Sequence, residues 1–413
     1  MTWPQVQFVE SPDEASAIRY DFNDAEGVAV VLADGWSLGV SSLSGDPDGI
    51  SVDFGFRQLS FTQEVRGSRL EALSLLNALS REVLRRRNWL RFQLDSTTDP
   101  VWFHTYRSLP DQLVFDHVYV DVDRPDRWSI GVKLDADSWA VGAEVSHGPV
   151  EYHYDYPANT PWLGFFLPQI KGDIAVPLRV EWAKSSGSTG LDDGFLAVSP
   201  TATQSRTVWT FPSPSTVQVV KAAAPSDVPP GRYRVLSVYP SGAGGDHRFG
   251  VSYDGGTTPA WLTDAPVNDY RTLSSAHDWA DLGILTVGSS DGDPITPYIW
   301  YDWTGTSGAD VAVILVPLAE DAAGEPATVM DVISGPSWAG SIGGGQNFLI
   351  DDSDDHDHQS IRGSNVLPAV VKGASQIIGH PQLENLVTIL GDHPGGAELT
   401  FKYRPRYLNL AGD

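Results

Sequence analysis

The stretch from Phe54 to Ser108, FGFRQLSFTQEVRGSRLEALSLLNALSREVLRRRNWLRFQLDSTTDPVWFHTYRS, decides the fold. It carries the one strong helix signal in a chain that otherwise reads as strands and turns. Ser68 and Glu71 stand three apart, the spacing of a capping box, in which each side chain satisfies a backbone donor of the first turn. Leu73, Leu76, Leu79 and Val83 follow at intervals of three or four, which places them on one helical face. Arg85, Arg86 and Arg87 come at the C-terminal end, where the helix dipole favours cations. The spacing predicts a helix over residues 68–88. After it, Leu90, Phe92 and Leu94 alternate with Arg91 and Gln93, the pattern of a half-buried strand.

Working outward, 413 residues exceed one ordinary core, and two or three domains are expected. Forty glycines and 29 prolines with only 19% charged residues argue for a mainly β protein rich in turns. The net charge of −26 repels phosphate backbones, so nucleic acid is not expected as a partner. With no cysteine, disulfides and thiolate metal sites are excluded. The N-terminus MTWPQVQFVESPDE lacks a basic region followed by an apolar run, so no secretory signal is expected. No stretch reaches the roughly 18 apolar residues of a membrane span, and no membrane insertion is expected.

Short strands flank the helix: VQFVES, GVAVVLADGWSL and ISVDFGF before it, residues 111–123 and 127–145 after it. A boundary is read near Gly148, closing a first domain over residues 1–150. Residues 206–323 read as a self-contained sandwich, because short strands recur there at even spacing between turn signals. The flanking parts, 151–205 and 324–413, read as one further β-sandwich, ending in an alternating strand with Leu399, Phe401 and Tyr403.

The order of these segments resembles the distal tail proteins of long-tailed bacteriophages. FLIDDSDD (348–355), HPQLENLVTILG (380–391) and ELTFKYRPRYL (398–408) resemble successive strands of that family's galectin-like domain. The run LVFDHVYVDVDRPDRWSIGVKLDADSWAVG is similar to the closing strands of its ring domain. The arginine-rich composition and the PRYL ending resemble minor tail proteins of phages of actinobacteria. The resemblance implies a tail-ring domain with one helix, then a galectin-like sandwich carrying an inserted jelly roll at 206–323. It further implies a non-enzymatic structural role in the virion tail tip, with assembly in the host cytoplasm. The chain would form a closed homo-oligomeric ring, expected to be a hexamer, between the tail tube, tape measure and tip hub proteins. No cofactor is implied.

Three groups of residues stand out as candidate sites. Asp351, Asp352, Asp354 and His356 belong to a dense acidic and imidazole run, whose oxygens suit a hard cation and whose histidine suits a transition metal. The run lacks the calcium-loop glycine and distal glutamate, so a solvated loop is the competing reading. Trp261, Trp279, Tyr298 and Trp300 could stack on sugar rings and contact host cell-wall glycan, with core packing as the alternative. Arg85, Arg86 and Arg87 could face acidic groups of an adjacent subunit.

Catalytic signatures are missing: no nucleophile elbow, zinc-binding helix motif, phosphate loop or dinucleotide fingerprint is present. A glycan hydrolase needs only two carboxylates, for which Glu151 and Glu181, beside tyrosines and a tryptophan, are the candidates. The expected function is therefore structural. Carbohydrate-binding adhesion through residues 206–323 is the first alternative and glycan hydrolysis the second.

Overall fold

The computed structural model describes residues 4–23, 29–31, 37–38, 43–45, 52–54, 57–85, 87–106, 115–120, 123–124, 126–152, 162–184, 194–200, 206–211, 218–223, 231–238, 245–252, 260–261, 271–273, 279–287, 298–305, 311–318, 328–333, 347–350, 360–361, 364–365, 378–391 and 397–408. Among them the protein is mainly β with one helix. Two compact units form. The first combines residues 1–145, 171–176 and 404–413, and the second holds 146–170 and 177–403.

The first unit is built on a sheet whose path runs Ile18–Asp21, Gln5–Val9, Arg87–Gln93, Val101–Tyr106, Arg127–Ala136, Arg57–Arg66, Ala29–Val31. Its longest pairing joins Arg57–Arg66 to Arg127–Ala136 antiparallel over ten residues. Alternation in the sequence explains the choice of face. Leu59, Phe61 and Val65 are buried, as are Leu134, Val132 and Ile130, which lie opposite Leu59, Phe61 and Gln63. Two further rows, Phe8–Leu90–Phe103 and Val6–Phe92–Val101, extend the same apolar face across three strands. A one-residue slip in any pairing would turn these side chains to water, so burial itself fixes the register. Phe22 stands edge-on to Phe61 with ring centroids 4.8 Å apart, a geometry that suits the aromatic quadrupole.

Helix α1, Arg69–Val83, belongs to the same core through Ala72, Leu79 and Val83. Its start is the capping box read from the sequence: Ser68 Oγ accepts from the Glu71 amide at 3.3 Å, and the Ser68 amide donates to Glu71 Oε2 at 2.6 Å. Two expectations change. Leu73 is 42% exposed, and the buried face runs through Ala72 instead. The helix also stops before the arginines, because Arg87 pairs with Tyr106 in the next strand and the chain must turn by then. Leu94 lies past the end of that strand, at Gln93, and is exposed.

The central strand Val101–Tyr106 is buried on both faces, since Val101, Trp102 and Phe103 are all inaccessible. Trp102 joins Val9 and Val141 in a second cluster, with Trp89 and Trp139 packed beside it. The C-terminal residues reach this region: Arg406–Tyr407 pairs with Ala140–Val141, and the Arg406 guanidinium lies 4.7 Å from the Trp139 ring centre.

The second unit contains two pairs of sheets. One pair consists of a six-stranded sheet around Arg179–Lys184 and Ala397–Tyr403, and a four-stranded sheet around Asn385–Gly391 and Gly194–Pro200. Phe165 and Phe401 meet between these two sheets at 5.9 Å. The other pair draws every strand from residues 206–318. Its four-stranded sheet runs Arg206–Phe211, Val311–Leu318, Gly231–Val238, Trp279–Val287, and Tyr233, Val235, Leu285 and Ile314 are buried in it. Its five-stranded sheet runs Gln218–Ala223, Tyr298–Gly305, Gly245–Ser252, Ala260–Trp261, with Arg271–Leu273 also on Gly245–Ser252.

Candidate functional site

Of the three arginines, Arg85 is held within its own chain. Its Nε donates to Glu82 Oε2 at 2.7 Å and its Nη2 to Glu82 Oε1 at 3.0 Å, a two-pronged fit of guanidinium on carboxylate. Glu82 is buried, and Asn88 Nδ2 adds a bond to the same Oε2 at 3.1 Å. Arg85 therefore compensates a buried charge at the end of α1. Arg86 lies outside the described residues, and Arg87 opens a strand.

The helix surface offers a feature that the core-directed reading missed. Leu70, Leu73 and Leu84 are 79%, 42% and 56% exposed. At 3.6 residues per turn they form one stripe opposite Leu79. The signal was present as two apolar periodicities on one helix, of which only one could enter the core. Among the described residues, the strand Ile18–Asp21 ends the sheet path, pairing with Gln5–Val9, and its Ile18 is 56% exposed. It is packed near α1.

The opposite face of the first unit is polar and aromatic. Arg91 donates to the Oε1 atoms of Gln7 and Gln93 at 3.0 Å each. Burial is the main influence on its guanidinium and holds its pKa below the ordinary value. Further along, Asp137 accepts from the Tyr106 hydroxyl and lies 3.4 Å from His104 Nδ1. His104 lies between Trp89, tilted at 42° with ring centroids 5.0 Å apart, and Tyr106, edge-on at 4.7 Å. The Asp137 carboxylate thus takes one hydrogen bond from a tyrosine and sits beside an imidazole flanked by aromatic rings. Among the described residues, no three His, Asp or Glu side chains gather to hold a metal ion, and no helix is long and apolar enough to cross a membrane.

The four aromatic candidates separate. Trp261 and Trp300 share one cross-strand row, because Gly250 lies opposite each of them. Tyr298 is two residues along the Trp300 strand, opposite Ser252. Trp279 belongs to the other sheet, opposite Val238. Tyr233, another aromatic of this segment, is core. Asp351, Asp352, Asp354 and His356 lie outside the described residues. Glu151 and Glu181 stand in strands of the six-stranded sheet.

The sequence matches no known protein-family model and no curated protein. The fold is similar to solved phage proteins. One is "SPP1 Dit (gp 19.1) Protein, a Paradigm of Hub Adsorption Apparatus in Gram-positive Infecting Phages", at 9% identity and TM-score 0.37, covering 98% of this chain and 99% of that one. Another is a chain from the phage p2 baseplate in its activated conformation with Sr, at 10% identity and TM-score 0.31, covering 97% and 98%. A third, from the phage P2 baseplate in its activated conformation with Ca, has 9% identity and TM-score 0.32, covering 98% of each chain. At such scores these likenesses assign neither family nor function.

Proposed function

We propose that this chain is a structural protein of a bacteriophage tail tip, resembling distal tail proteins, and that its first unit mediates self-association into a closed ring. The observation that carries the reading is the two-sided helix. One face of α1 enters the core through Leu79 and Val83, while the other presents Leu70, Leu73 and Leu84 to water. Apolar side chains on a regular stripe beside the end strand Ile18–Asp21 suit a second copy of the chain. Contacts that close into a cycle cover such surfaces without open growth. The order of sequence segments, with one capped helix in an N-terminal β unit, supplies the tail-tip context. In that context the ring is six-fold, its neighbours are the tail tube, tape measure and tip hub proteins, and its place is the virion.

The role is mechanical and non-enzymatic in this reading. A second reading, adhesion to host glycan, is favoured by the row containing Trp261 and Trp300.

Native mass of the purified full chain, with negative-stain imaging of the same peak, tests the assembly. A closed ring of identical subunits is the expected result. A monomer that persists at high protein concentration overturns self-assembly through this surface.

A further inference from the structure

We propose that copies of this chain meet head to tail, the turn Leu94–Asp99 of one copy seating its apolar and acidic tip on the arginine-flanked leucine stripe of α1 in the next. This rests on the self-association reading and names what the second copy brings to that surface.

A closed cycle of more than two copies needs a patch that meets a different patch on its neighbour, because a patch that meets its own equivalent stops at a pair. The α1 stripe supplies the first patch. At about 100° per residue, Arg69 and Arg81 fall roughly 60° to either side of the line through Leu73, Asn77 and Leu84. Both arginines are exposed, and neither is in an ion pair among the described residues. The carboxylates of the helix are already engaged: Glu71 accepts from the Ser68 amide, and Glu82 holds Arg85. The surface is therefore apolar along its middle and cationic at both edges, in a chain whose net charge is −26. Two copies of α1 laid face to face would bring no free carboxylate to these arginines. An acidic partner surface complements them.

Among the described residues, the large apolar side chains exposed away from α1 and Ile18 are Leu94 and Leu408. Leu408 has the Arg57 guanidinium on its carbonyl. Leu94, 46% exposed, is followed by Asp95 and Asp99 with no basic residue between them. Asp99 is exposed. Asp95 Oδ1 accepts from the Thr97 hydroxyl at 2.7 Å and from the Thr97 and Thr98 amides at 2.7 and 3.0 Å. These bonds, the Thr97 hydroxyl first, hold the Asp95 carboxyl below its ordinary pKa and keep it charged. Gln93 Nε2 donates to the Thr98 carbonyl at 2.9 Å and fixes the turn on its strand. A turn already ordered loses little freedom on docking.

The register sets the two patches at opposite ends of the sheet. Arg87, just past α1, lies opposite Tyr106, and Phe92, just before the turn, lies opposite Val101. The strand between them rises about 20 Å from Arg87 to Gln93. The turn does not reach α1 of its own chain, so a contact between the two patches joins separate copies.

The chain has no cysteine, so introduced thiols report on their own. Full-length Leu73→Cys and Leu94→Cys chains are co-expressed, and each is also made alone. Native mass is measured first, and a short bismaleimide is then added. Rings should form in every sample, and a crosslinked pair should appear only where both variants are present. The chain carrying both substitutions should give a ladder of covalent multimers that ends at the ring size. Arg69→Glu combined with Arg81→Glu should weaken association at least tenfold, with the circular dichroism spectrum unchanged. A ring in which Leu73→Cys or Asn77→Cys crosslinks to itself places α1 on α1; it overturns the head-to-tail contact and leaves self-association standing. A ring with no mixed crosslink overturns it equally. A persistent monomer overturns both readings.

Discussion

Arg404 Nη2 stands 2.6 Å from Asp13 Oδ1, joining residues 391 positions apart within the first unit. Arg404 Nη1 also donates to the Pro12 carbonyl at 2.6 Å, so one guanidinium ties the C-terminal segment to the turn after the first strand. The Arg404 hydrogen bond is the main influence on the Asp13 carboxyl and holds its pKa below the ordinary value, against partial desolvation. Because the folded pKa is lowered, the contribution is complete above the unfolded carboxylate pKa, about 3.9. It is lost as pH falls through the lower folded value. The pair is largely open to solvent, and Asp13→Asn should cost only about 0.5 kcal/mol at neutral pH. Chemical denaturation at pH 7 and pH 3 checks this: the gap between variant and parent should narrow at the lower pH.

A larger loss is expected from Gln63, which is fully buried. Its Oε1 accepts from the Tyr20 hydroxyl at 3.1 Å, and its Nε2 donates to the Phe22 carbonyl at 3.1 Å. Gln63→Leu keeps the volume but removes both bonds from a site shielded from water. A cost of about 1–3 kcal/mol follows from leaving buried polar groups unmet. Urea unfolding at constant slope is the measurement.

Overpacking governs Gly379. A Cβ there would lie 2.2 Å from Ile170 Cδ1 and 3.0 Å from Leu178 Cδ2. Ile170 and Leu178 are both buried and have little room to yield. Gly379→Ala should destabilise the second unit by about 1–3 kcal/mol. Proteolysis confined to residues of that unit would locate the effect.

His147 supplies a pH signature in a higher window than Asp13. Its Nε2 is buried without a hydrogen-bond partner, and burial lowers the imidazole pKa. The unfolded chain therefore takes up the proton first, near pH 6.5. Stability should fall as pH drops below about 6.5 and level off under the folded pKa. His147→Phe keeps a ring beside Tyr403, 5.6 Å away in the parent, and removes the titration. A smaller loss of urea midpoint between pH 7.5 and 5 is expected for the variant.

Leu70→Asp tests the assembly surface. Leu70 is 79% exposed, so the monomer's melting temperature should stay within a degree or two, as for surface changes of under about 0.5 kcal/mol. Subunit association should weaken at least tenfold by sedimentation. Unchanged association would remove the Leu70–Leu73–Leu84 stripe from the interface.

Much of the first unit was legible in the chain. Ser68 and Glu71 announced the start of α1 because a capping box is a local pattern, and Leu90 and Phe92 announced their strand because a period of two is local as well. The end of α1 was misread. Three arginines suit a helix C-terminus, but Arg87 was claimed by a pairing with Tyr106, a contact that no local pattern contains. The exposed Leu70 and Leu73 were hidden for a related reason, since periodicity shows that a stripe exists and cannot say which of two stripes meets the sheet.

What the sequence determined by itself was composition and period: a mainly β chain, one capped helix, no disulfide and a strong negative charge. These follow from residue identity and spacing along the backbone. Only the tertiary structure decided partnership. It set Gly250 between Trp261 and Trp300 and sent Trp279 to another sheet, and it brought Arg404 to Asp13. Strand pairing joins residues far apart in the chain, and its register is fixed by which faces are buried together. That information resides in the packed core as a whole.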